Sequence, residues 1–316
     1  MNRKPLVSVC IPCHNAASYI GAALDSVLAQ TWKHLEIIVV NDGSTDGSAE
    51  VLERYKERGV RVINQENRGQ CAAANRALVE STGDYIKFFD ADDLLSQEMI
   101  EKQIERLAGR TDAIASSEWG RFHGELSTYR SNNQSVWRDM EPTEWLVEAW
   151  KDARPMMQCA LWMIPRPILE KSGGWDEELS LINDFEFFAR VLCHAREVLF
   201  TPGAVLYYRS GLSGSLSRQK SRKAIESQYH SLLRGTAHLL ARRQDPAAKL
   251  SCANVLQDFI YTYYPDHADL RAKLALRVLE LGGSDLSPDG PPRFHQLRRF
   301  FGWKSARRIQ RVLGKK

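Results

Sequence analysis

The run Leu35–Val40, LEIIVV, followed at once by NDGSTDGS, constrains this chain more than any other feature. A β-branched run apolar almost throughout is the pattern of a strand covered on both faces. The turn and N-cap residues after it then lead into a helix through Val51 and Leu52. The same alternation repeats on either side. LVSVCI (Leu6–Ile11), VRVIN and DYIKFF read as strands, and GQCAAANRALVES reads as a helix. Ile20, Leu24, Val27 and Leu28 fall at i, i+4, i+7 and i+8 on one helical face. Strand–helix alternation at this period implies an α/β fold with a mostly parallel, Rossmann-like sheet covered by helices.

The middle of the chain, from about Leu94 to Ser217, is less regular. It offers a helix near Gln97–Ala108, a strand at DAIASS, a Trp-rich segment and a helix at TEWLVEAW. Beyond Arg218 the texture turns to long helical stretches. Pro288, Gly290, Pro291 and Pro292 then break the pattern before a distinct tail. The expected units are 1–217, 218–290 and 291–316.

The net charge of +4 is unevenly placed. Nine Lys and Arg, and no acid, fall between Pro291 and Lys316, so the first 290 residues carry 34 basic against 39 acidic side chains. A mildly acidic body argues against a nucleic-acid partner. No stretch approaches the roughly 18 apolar residues of a membrane-spanning helix. The opening residues make a poor signal peptide, and six scattered cysteines read as reduced thiols, so a cytoplasmic location is expected. VCIPCHN contains C-x-x-C-H, a haem or zinc pattern in other contexts. Cys10 lies within the first expected strand and Cys13 in the turn that leaves it. No second C-x-x-C exists to complete a metal site, so the spacing is an accident.

In an open parallel sheet, ligands bind at the carboxyl ends of the strands. The polar clusters Pro12–Asn15, Asn41–Ser48 and Asp90–Asp93 fall there. FFDADDLL puts Asp90 and Asp92 two residues apart after a buried strand, where a hard divalent cation such as Mg2+ or Mn2+ relieves the crowding of carboxylates. The plainer alternative is that Asp92 and Asp93 cap the helix that starts near Ser96. Neither a P-loop nor a G-x-G-x-x-G motif occurs.

Five segments in order carry a resemblance: VSVCIPCHNAASYIGAALDSVLAQTWKHLEIIVVNDGSTDGS, NQENRGQCAAANRAL, GDYIKFFDADDLL, GGWDEELSLINDFEFFARV and LYYRSGLSGSLSR. Together they cover about two-thirds of the chain, which resembles the family 2 glycosyltransferases, inverting enzymes of the GT-A fold that use nucleotide-sugar donors. The resemblance implies that 1–95 is the nucleotide-binding half and 96–217 the acceptor half. By the same resemblance, Pro12, His14 and Asn15 contact the base, Asp42 accepts from a base N–H or holds its own turn, and Arg68 with Gly69 lies beside the nucleotide. Asp90 binds ribose and joins the metal site, and Asp92 is the metal ligand reaching the diphosphate. A UDP-sugar is the favoured donor, and a glycan or lipid-linked acceptor of polysaccharide biosynthesis the expected partner.

Asp184 in LINDFEFFARV is the implied general base. The family usually has Glu before this Asp, where Asn183 stands here, and removing that acid is expected to lower the Asp184 pKa. The alternative for Asp184 is a helix N-cap. After YYR the family often supplies a His, replaced here by Ser210 and Gly211, so the Ser/Gly run and Arg218 become candidates for binding phosphate. A nucleotidyltransferase would have no use for NDFEFFARV. A glycan-binding scaffold with a decayed site is the main rival of a different class. The helical region either packs on the catalytic unit or forms a homo-oligomer contact. The tail mixes Phe300, Phe301, Trp303 and Val312 with its cations, which suits peripheral binding to an anionic membrane surface.

Overall fold

A computed structural model describes residues 3–212 and 220–313. The Ser/Gly run from Ser213 and Arg218 lie outside the described residues, as do Lys315 and Lys316.

Strands β1 (Val7–Cys13), β2 (Leu35–Asp42), β3 (Val60–Gln65) and β4 (Tyr85–Phe88) pair in parallel in the order β3-β2-β1-β4. The sheet is helix-covered as expected. Helix α1 (Ile20–Leu28) buries Ile20, Leu24 and Val27, α2 (Ser48–Lys56) buries Leu52, and α3 (Gln70–Val79) buries Cys71 and Ala77. β1 runs on through Pro12 and Cys13, which pair with Val40 and Asn41, so Cys13 ends the strand rather than lying in a turn. Proline is tolerated because β4 pairs with β1 only as far as Cys10, leaving that side of β1 as an edge.

The middle of the chain has more regular structure than its sequence suggests. β5 (Leu94–Leu95), β6 (Ala113–His123), β7 (Glu125–Ser131) and β9 (Glu197–Arg209) make a second sheet in the order β5-β9-β6-β7, with β6 and β9 parallel. Short β8 (Ile164–Pro165) closes the first sheet antiparallel to β4. Around them lie α4 (Met99–Leu107), α5 (Pro142–Trp150), α6 (Arg166–Ser172) and α7 (Asn183–Leu192).

The expected helical region is present as α8 (Arg222–Arg242), α9 (Pro246–Tyr263) and α10 (Ala268–Glu280), and the tail forms α11 (Pro292–Leu313), kinked at Gly302. α8 lies against α7, and Gly235 permits the approach: a Cβ there would sit 2.6 Å from the Phe185 ring. α11 docks through buried Phe294 and Ala306, with Trp303 edge-on to Tyr261 and Tyr264 at 4.9 Å. Arg311 pairs with Asp266, while Phe300, Phe301 and Val312 remain exposed. No described helix is long and apolar enough to cross a membrane.

Candidate active site

The carboxyl ends of β1, β2 and β4 bring the three polar clusters together, as the topology of an open parallel sheet requires. Asn15 stitches the first loop to the second: its Oδ1 accepts from Thr45 N at 2.8 Å, and its own N–H donates to Ser44 Oγ at 3.0 Å. His14 Nδ1 lies 2.7 Å from the Asp42 carbonyl oxygen, so Nδ1 carries the proton and donates. Asp42 is buried. Its carboxylate accepts from Gln65 Nε2 (2.7 Å), Arg68 N (2.9 Å) and Gly69 N (2.8 Å), which fixes the Asn67–Gly69 loop over the strand end. The close packing of these loops needs Gly43, at φ +64°, where a Cβ would lie 2.7 Å from Asn67 N. Arg68 reaches outward to Glu177 at 3.2 Å, and Pro12 lines a small cleft with Gln70, Asp90 and Trp175.

After β4 the carboxylates of Asp90, Asp92 and Asp93 each place an oxygen within 4.8 Å of the others. The helix-capping alternative fails, because α4 begins at Met99 with Glu98 at its N-cap. Gln158 instead ties the cluster together: its amide nitrogen donates to Asp90 Oδ2 and to Asp93 Oδ2, both at 2.9 Å. Gln70 Nε2 donates to Asp90 Oδ1 at 2.9 Å, and Arg209 N donates to Asp93 Oδ1 at 2.7 Å. Arg209 also donates from Nε to the Asp92 carbonyl oxygen at 2.7 Å and packs its guanidinium 4.5 Å from the Phe122 ring centre. Buried Lys87, on β4, donates to the carbonyls of Ala160 (2.7 Å) and Trp162 (3.4 Å), holding in place the turn that carries Gln158.

Burial raises the pKa of all three acids. Asp92 is pushed up to about 6 by burial and then by the Asp90 charge, and Asp93 stays well above the usual carboxylate range for the same reasons. A set of three crowded, partly desolvated carboxylates is an oxygen-only ligand set of the kind Mg2+ and Mn2+ take. The residues present therefore fit such an ion.

Asp184 comes to this cluster from α7. Its pKa is also raised well above the ordinary value, first by burial and then by the charge of Asp90. Replacing the preceding acid with Asn183 therefore does not leave Asp184 with a low pKa, because desolvation outweighs the missing repulsion. Asn183 instead becomes a connector. Its Oδ1 accepts from Asp184 N at 2.9 Å, and its Nδ2 donates to Gln70 Oε1 at 3.3 Å and Cys71 Sγ at 3.1 Å. A polar chain thus runs Asp90–Gln70–Asn183–Asp184. Asp184 is not the N-cap, a position taken by Ile182 in the left-handed region at φ 56°. That conformation costs a β-branched residue of order 1–3 kcal/mol. Ser231 Oγ, donating to the Ile182 carbonyl at 2.5 Å, and Ser227 Oγ, accepting from Leu181 N at 3.0 Å, hold it there from α8.

Sequence reasoning missed Gln158, Gln70, Trp175 and the full part of Asp93. Asp93 was visible in DADD, and Trp175 in the GGWDEE segment. Gln158 stands in a stretch with no periodic signal. Where a His was expected after YYR, Ser210 Oγ accepts from Arg121 at 3.0 Å, and a Cβ on Gly211 would meet His123 Nδ1 at 3.2 Å. His123, at the end of β6, thus lies beside this turn.

With this geometry in place, likeness to known proteins becomes informative. The family model described as glycosyl transferase family 2 matches residues 8–173, a little over half the chain. EpsH of Bacillus subtilis, named a glycosyltransferase, is 29% identical over 228 residues, 71% of this chain and 66% of EpsH. The chain thus matches just under two-thirds of that relative's length. TarS 1–349 of Staphylococcus aureus superposes with a TM-score of 0.68 at 15% identity, covering 98% of this chain and 92% of TarS. The complex of TarS with UDP-GlcNAc gives 0.64 at 16% identity, covering 98% and 92%. The mannosyltransferase PcManGT of Pyrobaculum calidifontis, bound to GDP-Man and Mn2+, gives 0.55 at 18% identity, covering 100% and 89%. These likenesses establish the GT-A fold.

Proposed function

The chain belongs to glycosyl transferase family 2, and we propose that it is an inverting transferase moving a sugar from a nucleotide-diphosphate sugar to a hydroxyl of a glycan or lipid-linked acceptor. The observation that carries this reading is the hydrogen-bonded chain that runs from Asp90 in the Asp90–Asp92–Asp93 cluster through Gln70 and Asn183 to the backbone N–H of Asp184.

In this reading the loops of Pro12–Asn15, Asp42 and Arg68–Gly69 hold the base, and Asp90 takes the ribose. UDP is the favoured nucleotide, supported by the likeness to TarS, whose complex holds UDP-GlcNAc. A divalent cation held by Asp92 and Asp90 would neutralise charge building on the departing diphosphate. The acceptor hydroxyl attacks the anomeric carbon as the bond to the diphosphate oxygen breaks. That oxygen leaves with the electron pair, and Asp184 receives the hydroxyl proton. Attack opposite the leaving group inverts the centre, and no covalent enzyme intermediate is required. Burial makes Asp184 a stronger base than a solvated carboxylate, at the cost of needing a higher pH to be ionised.

The test is donor turnover. Incubation with a panel of UDP-sugars and Mn2+ should release UDP from the wild type and not from Asp184→Asn. Equal release by both would overturn the assignment of the base, and no binding of any nucleotide-sugar would overturn the enzyme reading. The tail adds a separate element: exposed Phe300, Phe301 and Val312 on a helix that also carries the exposed cations Arg293, Arg299 and Lys304 support peripheral attachment to an anionic membrane. Co-sedimentation with anionic liposomes should fall when the chain ends at Gly290, and equal binding with and without the tail would remove this element.

A further inference from the structure

Lys87, on β4, has its side chain wholly shut from solvent, and among the described residues it makes no ion pair. Lysine is almost never fully buried unless paired, and an isolated ammonium is costly to take out of water. Three neutral oxygens stand in for a counter-ion. Lys87 Nζ donates to Gln103 Oε1 at 2.9 Å and to the carbonyls of Ala160 (2.7 Å) and Trp162 (3.4 Å). That is one acceptor for each N–H of an ammonium. Burial pulls the Lys87 pKa down to about 7, and the neutral amine still carries two donors, enough for the two carbonyls.

These bonds hold a turn that holds itself poorly. Cys159–Leu161 is a single turn of 3₁₀ helix. Its own backbone bonds are long, 3.2 Å from Leu161 N to the Gln158 carbonyl and 3.5 Å from Trp162 N to the Cys159 carbonyl. Three successive carbonyls here end on two buried side chains: those of Ala160 and Trp162 on Lys87 from β4, and that of Leu161 on Gln103 Nε2 from α4 at 2.9 Å. Ala160 is gripped at both ends, because its N–H donates to Gln158 Oε1 at 2.6 Å. The far end of the same Gln158 side chain is the amide nitrogen that spans Asp90 and Asp93. A path of three hydrogen bonds therefore leads from Lys87 through Ala160 and Gln158 to the acid cluster.

We propose that Lys87, assisted by Gln103, is a positioning residue for the metal site: it fixes the turn that aims the Gln158 amide, and the amide sets the spacing of Asp90 and Asp93. Removing a partner that orients metal ligands typically changes affinity by about 10–100-fold. The proposal rests on the reading of these acids as a cation site. The geometry it asserts at Gln158 is tested apart from any metal.

The experiment uses the full chain. Mn2+ binding in the presence of UDP is read from the electron paramagnetic resonance of the free ion, with no turnover required. Lys87→Met keeps most of the side chain's length and removes its donors, and it should weaken Mn2+ at least about fivefold. In a Gln158→Leu background the same change should cost less than about twofold more, because the path is already cut. Its loss of melting temperature should be alike in both backgrounds. A Lys87 that served stability alone would lower the melting temperature and leave the Mn2+ affinity of the folded protein unchanged. If Lys87→Met does not fold, Gln103→Met decides by the same cycle, with a loss of at least about threefold expected. A second readout needs no metal. The Gln158 side-chain NH2 signals of the 15N-labelled protein, identified by their loss in Gln158→Leu, should shift and exchange faster with water in either variant. Unchanged Mn2+ affinity, equal weakening in both backgrounds, or unmoved Gln158 signals would overturn the proposal. If the wild type takes up no Mn2+, the cation reading fails, while the NH2 signals still decide whether Lys87 places Gln158.

Discussion

Two regions of this molecule treat their polar groups in opposite ways. At the ends of the parallel strands the side chains are already engaged: Asp42 holds two backbone N–H groups and Gln65, and Asp90 is held by Gln70 and Gln158. Beside α5, the hydroxyls of Ser116 and Ser117 and the indole N–H groups of Trp145 and Trp162 are left without partners. A site that must present charge in fixed geometry gains from such pre-organisation, since crowded carboxylates would otherwise turn apart. A buried hydroxyl or indole N–H left without a partner instead forfeits about 1–3 kcal/mol, a cost that the engaged groups at the strand ends avoid.

The contrast is broken most directly at Asp184. Asp184→Asn should lower transfer by about 10²–10⁴-fold with the fold intact, checked by UDP release and circular dichroism. In the wild type the rate should fall as pH drops through the raised pKa of this base, by about tenfold per pH unit on the acid side; a flat acid limb would refute its role. Gln158→Leu leaves Asp90 and Asp93 without their shared donor. Apparent Mn2+ affinity should weaken by about 10–100-fold, read by titrating the metal against UDP release.

A purely structural ion pair sharpens the comparison by lacking any link to chemistry. Buried Glu186 is held by Arg190 (2.7 Å) and His238 (2.9 Å), and its pKa is lowered to about 2 despite the burial that opposes this. A depressed carboxyl pKa stabilises the fold above the unfolded-state value, and that contribution is lost as pH falls toward 2. Glu186→Gln should therefore cost about 3 kcal/mol at pH 7 and progressively less from about pH 4.5 downward, measured by denaturant unfolding. The smallest effect is expected at Ile182. Ile182→Asn relieves a β-branched residue at positive φ and should add about 0.5–1 kcal/mol of stability, while any change in turnover would tie that backbone geometry to the placing of Asp184.

Legibility in the sequence followed burial. β1 and β2 could be read because both faces are covered, which makes their runs nearly continuously apolar, whereas the edge strand β3 buries only Val60. β9 could not, because its thirteen residues are interrupted by Pro202 and Gly203 and bury only alternate positions toward its end. Within the helical region α9 shows its period least, because it is buried around most of its circumference and leaves little 3.6-residue contrast. At the site, Asp90, Asp92 and Asp184 announced themselves as acids after apolar runs or within a familiar segment. Gln158 and Asn183 did not, since a neutral amide shows its importance only through the carboxylates it spans.

The grip of α8 on the Leu181–Phe185 segment has a practical corollary. Ser227, Ser231 and Gly235 lie beyond both the family-matched stretch and the boundary at residue 217, yet they hold the chain on either side of Asp184, at Leu181, Ile182 and Phe185. Trimming the protein at residue 217 would leave Asp184 on a segment without these contacts. Designers exchanging acceptor-side modules between such chains would have to carry this helix along with the loop it fastens.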